Sequence, residues 1–244
     1  MRTLQGFVLL CLGVVVGWAA PIWAQSADFV VSQNGHTVGT ASCDFKARAG
    51  GFESSSMVKV EMQGLDYELS VTERLNTAHH LEHVVLSGVL NGSAVSVVGK
   101  PDGANFLLNI SANGRSSTAR LEAHAGAVFL PDFDPGALQS LMDLAAEQNG
   151  RDLWAILPKQ AGSVAQVELA TYADEQGTLD GKAIAVHHLR AAFGGGSADL
   201  FAGPDNELMQ AELPQEGFAL VRKGFVLTPP KKPIAPAEIS GQPE

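Results

Sequence analysis

The chain has 244 residues, 45% of them hydrophobic and 17% charged, and carries a formal net charge of −10. That length and composition suit one large β domain or two small ones and do not suggest bulk disorder. The acidic balance argues against nucleic acid as a partner, and no basic block marks a membrane-surface patch.

Met1 to Ala24 reads as a secretory signal peptide. Arg2 supplies the positive start, Gly6 to Ala20 the apolar run, and Ile22-Trp23-Ala24 a cleavage site with Gln25 following. The expected location of the mature chain is therefore periplasmic or extracellular. Cys11 leaves with the signal, so Cys43 stands alone and forms no internal disulfide. Its strand-like surroundings, Gly39 to Phe45, read as a buried thiol acting as a small hydrophobe, with a reactive or intermolecular thiol as the alternative. Val8-Leu9-Leu10 before Cys11 lacks the small residue of a lipoprotein signal. No second apolar run approaches the roughly 20 residues that span a bilayer, so no transmembrane segment is expected in the mature chain.

From Asp28 the pattern has period two, broken by turns. Phe29 to Gln33 and His36 to Phe45 flank Asn34-Gly35, a strong short-range hairpin signal. Gly50-Gly51 breaks the next connection. Met57 to Met62 and Asp66 to Thr72 alternate as half-buried strands. His83 to Leu90 and Ala94 to Lys100 flank Asn91-Gly92-Ser93; Phe106 to Ser111 and Thr118 to Ala123 flank Asn113-Gly114. Residues 134–148 break the pattern: Asp134 is an N-cap, Pro135 the first helical position, and Leu138, Leu141, Met142 and Ala145 recur at helical spacing before Asn149-Gly150.

Strands then resume around Trp154 to Leu157, Ala165 to Tyr172, Ala183 to Phe193, Asp199 to Ala202, Glu207 to Glu212 and Phe218 to Leu227. Gly177, Asp180-Gly181, Gly194 to Gly196 and Gly203 to Asn206 are read as turns. The expected fold is mainly β: an antiparallel meander forming a curved sheet or half-open barrel with one packed amphipathic helix. The organisation is a signal peptide over 1–24, a single β-rich domain over 25–227, and a proline-rich disordered tail over 228–244.

The histidines are the chemical oddity. His79, His80 and His83 fall within five residues, and His187-His188 adds a pair. They are metal candidates, zinc above all, but a site needs three or four converging ligands, so both clusters would have to meet. The spacing is not HExxH. The competing reading is histidines lining a sheet face. Ser56-Met57-Val58-Lys59 matches Ser-x-x-Lys, yet in a strand Ser56 and Lys59 lie on opposite faces. Gly195-Gly196-Ser197-Ala198-Asp199 lacks the final glycine of a nucleophile elbow. Asp132 and Asp134 are explained by solvation and capping. No acid/base pair is recognisable, so no catalytic residue is assigned and enzyme activity is unsupported.

Asp28 to Gly39, with its strand, "x-G-x-x-x-G" turn and second strand, resembles the opening of certain uncharacterised bacterial envelope families. Ala198 to Leu213, followed by Val221-Arg222-Lys223-Gly224-Phe225, resembles their closing "v-R-x-x-f". These families are similar in outline to curved-sheet lipoprotein carriers of the Lol type. The resemblance implies a periplasmic location and a half-barrel able to hold something apolar. It implies no catalytic residues.

The leading expectation is a non-enzymatic periplasmic binding or carrier protein for an apolar, lipid-like small molecule. Phe106, Leu108 and Leu141 are candidates either for pocket lining or for core. The alternatives are a metal-binding, hydrolytic secreted protein built on the histidines, and an envelope interaction module. In the latter, a sheet edge takes a strand from an envelope protein partner and the tail acts as tether.

Overall fold

In the computed structural model, residues 24–159 and 162–229 are described. The segment read as a signal peptide, up to Trp23, and the tail beyond Pro229 lie outside the described residues.

Alternating strands joined by Asn-Gly and Gly turns build the first half of the domain. β1 (Ala24–Gln33), β2 (His36–Arg48), β3 (Gly51–Met62), β4 (Leu65–Asn76), β5 (Leu81–Leu90), β6 (Ser93–Asp102), β7 (Asn105–Ala112) and β8 (Arg115–Glu122) run as an antiparallel meander. After β9 (Ala127–Phe129), the helix α1 (Pro135–Glu147) follows. The remaining strands are β10 (Trp154–Leu157), β11 (Ser163–Gln166), β12 (Glu168–Thr171), β13 (Glu175–Leu179), β14 (Lys182–Phe193), β15 (Gly196–Ala202), β16 (Leu208–Leu213), β17 (Phe218–Arg222) and β18 (Phe225–Leu227).

Fifteen strands form one large sheet in the order β18-β13-β14-β15-β16-β17-β1-β2-β3-β4-β5-β6-β7-β8, with β12 paired to β14. The C-terminal strands return to the N-terminal edge, where β17 pairs with β1 through Phe29 opposite Arg222 and Gln33 opposite Phe218. The sheet does not close into a barrel. A separate three-stranded sheet, β11-β10-β9, has a parallel β9–β10 pair.

One face of the large sheet carries the core, because alternate residues of each strand point the same way. Phe29, Ala41, Val58, Leu69, Leu86 and Val97 are buried there together with Leu138, Leu141, Met142 and Leu144 of α1. α1 packs against β2, β3, β9 and β16. From Pro135 to Met142 every residue of the helix is buried, so it is enclosed on all sides rather than laid across one face. Leu108 and Leu141 have no exposure and Phe106 has 4%. These candidate lining residues are core.

At the other end the sheet is buried on both faces. Leu200 and Leu220 join the main core, while their neighbours Phe201 and Val221 meet a second cluster of Val186, Met209 and Phe225 on the opposite face.

Several strands differ from the sequence reading. The run Ala165 to Tyr172 is two strands: the chain changes sheets at buried Val167, whose N–H donates to the Leu153 carbonyl. Phe218 to Leu227 is likewise split at Lys223-Gly224. Gly177, read as a turn, lies inside β13, where a Cβ would come within 2.6 Å of the Phe225 ring. β9 is three consecutive buried apolar residues, without the alternation that betrays a half-buried strand.

Candidate functional site

Beside the α1-filled interior, a groove of about 390 Å³ runs between the small sheet and the β14–β15 hairpin. Leu130, Leu157, Val164, Ala165, Phe193 and Leu213 supply its apolar walls. Asp132, Lys159, Ser163 and Glu216 supply its polar groups, and Lys159 is ion-paired with Asp132.

Local chemistry explains the groove's shape. Gly194 and Gly195 both have positive φ, 57° and 86°, which glycine adopts without the Cβ penalty and which a tight hairpin turn requires. Gly194 also lets the Leu157 side chain come close, since a Cβ there would stand 2.7 Å from Leu157 Cδ1. On the far side of the Leu130–Asp132 wall, the Phe133 ring packs between Tyr67 and Phe218, with centroids 5.5 and 4.7 Å away.

The same segment runs directly into α1, whose seat is unusually polar. Asp134 caps the helix by accepting the Ala137 N–H at 2.8 Å, and its other oxygen accepts the Ser56 hydroxyl of β3 at 2.5 Å. One and a half turns on, the Ser140 hydroxyl donates to Glu73 Oε2 of β4 at 2.8 Å. Gln139 accepts the Leu208 N–H and donates to Asp143 and to the Asn206 carbonyl, fixing α1 to the loop before β16.

Asp134 and Glu73 are each 1% exposed. Burial pushes the Glu73 carboxyl up to about 8, against the Ser140 bond and with the Asp134 charge adding to the rise. Burial likewise pushes Asp134 up to about 6, although bonds from Ser56 and from the Ala137 and Gly136 backbone favour its charged form. Glu73 Oε1 is buried without a hydrogen-bond partner. A neutral carboxylic acid tolerates that position far better than a carboxylate does. Gly136 permits the close approach of helix to sheet, because a Cβ would fall 2.7 Å from Ser54 Oγ.

The two histidine clusters are not brought together. β5 and β14 stand eight strands apart in the sheet order, about 38 Å measured along it at the usual strand spacing. His79 lies in the β4–β5 turn, stacked on Phe52 at 4.2 Å; His80 is half-buried before β5; His83 stands in β5 opposite Arg74. His187 pairs with Asp174 at 2.8 Å. His188 sits between the Tyr172 and Phe201 rings, with one ring nitrogen 3.0 Å from Glu175 and the other 3.0 Å from Asp199. Asp199 also takes both arms of Arg190, at 2.9 and 2.7 Å. This network ties β12–β15 together. Among the described residues no three His, Cys, Asp or Glu side chains stand close enough to hold one ion.

Ser56 faces inward and Lys59 outward, as strand geometry requires, so the Ser-x-x-Lys pair is separated by the sheet. Cys43 is buried, and burial pushes its thiol up to about 12. The polar seat of α1 escaped the sequence reading. Its two local signs are Asp134, read as a cap, and the isolated Glu73 at an inward position of β4 between Val71 and Leu75. Compared with known protein families, with curated proteins and with solved structures, the chain matches none.

Proposed function

We propose that this is a non-enzymatic binding protein for an apolar or amphiphilic small molecule, exported by its N-terminal segment and working in the periplasm or outside the cell. The observation that carries the reading is the groove between the small sheet and the β14–β15 hairpin. Its volume of about 390 Å³ lies within the range of small-molecule sites, roughly 300–1,000 Å³. Its walls are aliphatic with one aromatic, and its polar groups gather around the Asp132–Lys159 pair, the usual division between an apolar payload and a few orienting groups. The apolar part of the ligand lies against Leu157, Val164 and Phe193, and a polar end meets the ion pair. The resemblance in outline to curved-sheet carriers agrees with this reading. The cargo is smaller than an open half-barrel would admit, because α1 occupies the concave face.

The test is native mass spectrometry of the chain purified from its own compartment without detergent, beside an Ala165→Trp variant whose indole fills the groove. A bound mass of several hundred daltons, lost on organic extraction and absent from the variant, supports the reading. A bare polypeptide mass for both proteins, or an equal bound mass on both, refutes it.

A further inference from the structure

The seat of α1 contains a carboxyl group that capping and packing do not account for. Asp134 has a clear structural task as N-cap. Glu73 has none of comparable kind: β4 at that position faces the core, and a leucine or valine would follow the pattern of Leu69, Val71 and Leu75 around it. Instead an acid is held under the middle of the helix, with one oxygen bonded to Ser140 and the other without a partner.

The groups facing Glu73 are few. From α1 come the Ser140 hydroxyl and, at the head of the helix, the Asp134 carboxyl. From β3 its register partner is Ser54, and from β5 it is Val84, neither of them charged. Farther along α1, His79 acts on Asp143. Among the described residues the charge that acts on Glu73 is Asp134, which is of the same sign. Ionisation therefore places a second negative charge in a water-free layer, with no cation to balance it. That favours any arrangement in which the helix lifts enough for water to reach the carboxylate.

We propose that Glu73 is a proton-operated latch on the seat of α1. While neutral it lets the helix sit closed on β3 and β4; on losing its proton it loosens that seat, together with the segment leading into it, whose Leu130 and Asp132 line the groove. The coupling to a ligand rests on the groove reading above. The groove is then firm at acidic and neutral pH and loosened in alkali, so cargo is held in the first condition and released in the second.

The test is hydrogen exchange of the peptide covering residues 130–147 from pH 6 to 9 in the wild type and in Glu73→Gln, taken as a ratio at each pH so that intrinsic exchange cancels. The wild-type opening population is expected to rise about tenfold per pH unit up to pH 8 and to level off above it. The variant stays flat, and peptides from β2–β4 stay protected in both. Equal pH slopes in the two proteins, or opening of β2–β4 together with α1, overturn the latch. If Glu73→Gln does not fold, the protonated-carboxyl infrared band of the wild type replaces it. Loss of that band near pH 8, where the rise in α1 exchange levels off, supports the latch, and its loss without any rise in α1 exchange below pH 8 overturns it. Native mass spectrometry reads the ligand separately: α1 opening with no bound cargo removes the carrier reading and leaves the latch standing.

Discussion

Replacing Glu73 with glutamine tests the buried polar layer through global stability. In the folded chain the Glu73 carboxyl is raised from its ordinary 4.5 to about 8. The folded state therefore holds a proton that the unfolded chain releases. The resulting stabilisation is complete below about pH 4.5, falls as pH rises, and is gone above about pH 8. The slope is about 1.4 kcal/mol per pH unit, so pH 6 to pH 9 removes about 3 kcal/mol from the wild type. With a urea m-value of about 2–3 kcal/mol/M, the unfolding midpoint drops by about 1 M or more. Glu73→Gln keeps an acceptor for Ser140 but cannot ionise, so its midpoint is flat over this window. It starts below the wild type at pH 6, since the new amide N–H groups lack partners, and closes the gap by pH 9. Parallel loss of stability in both proteins between pH 6 and 9 would refute the reasoning, because some other group would then carry the dependence.

Leu141→Ala removes a side chain with no exposure from the enclosed helix and is expected to cost about 3–5 kcal/mol, read by urea denaturation. Gly136→Ala forces a methyl group against Ser54 and is expected to cost about 1–3 kcal/mol by the same measurement, whereas the exposed helix position Ala146 should tolerate change within about 0.5 kcal/mol. Burial favours protonation of Asp199, yet the bonds from Arg190 and His188 prevail and hold its carboxyl below the ordinary value of 3.8. Its contribution is therefore present above about pH 4 and lost as pH falls below it, and a double-mutant cycle of His188→Ala with Asp199→Asn at pH 6 should give a coupling of about 0.5–3 kcal/mol. The Cys43 thiol should resist thiol reagents in the folded chain and react once urea unfolds it.

Much of the fold could be read from the chain because its β1–β8 meander is written in local code. Asn34-Gly35, Asn91-Gly92 and Asn113-Gly114 all fall in hairpin turns, with positive φ at each asparagine and glycine. Asp134-Pro135 opens α1 as a cap and first-turn proline should. What escaped the reading depends on distant partners. β9 and β10 pair in parallel across the helix, which no neighbouring residue signals. Gly177 looks like a turn until Phe225, 48 positions later, covers it. The groove draws its walls from three separate stretches of chain, around Leu130, Leu157–Ala165 and Phe193–Glu216, and none carries a local signature. The histidine clusters showed the opposite failing: their sequence pattern stood out, while the sheet order sends them to separate strands.

The most direct test of groove binding is a nitrogen-15 amide spectrum of the protein titrated with a medium-chain fatty acid as probe. Binding in the groove predicts saturable shifts at Leu157, Val164, Ala165, Gly194 and Leu213, with the amides of β6–β8 unmoved. Shifts scattered over the outer sheet face, or none that saturate, would contradict it.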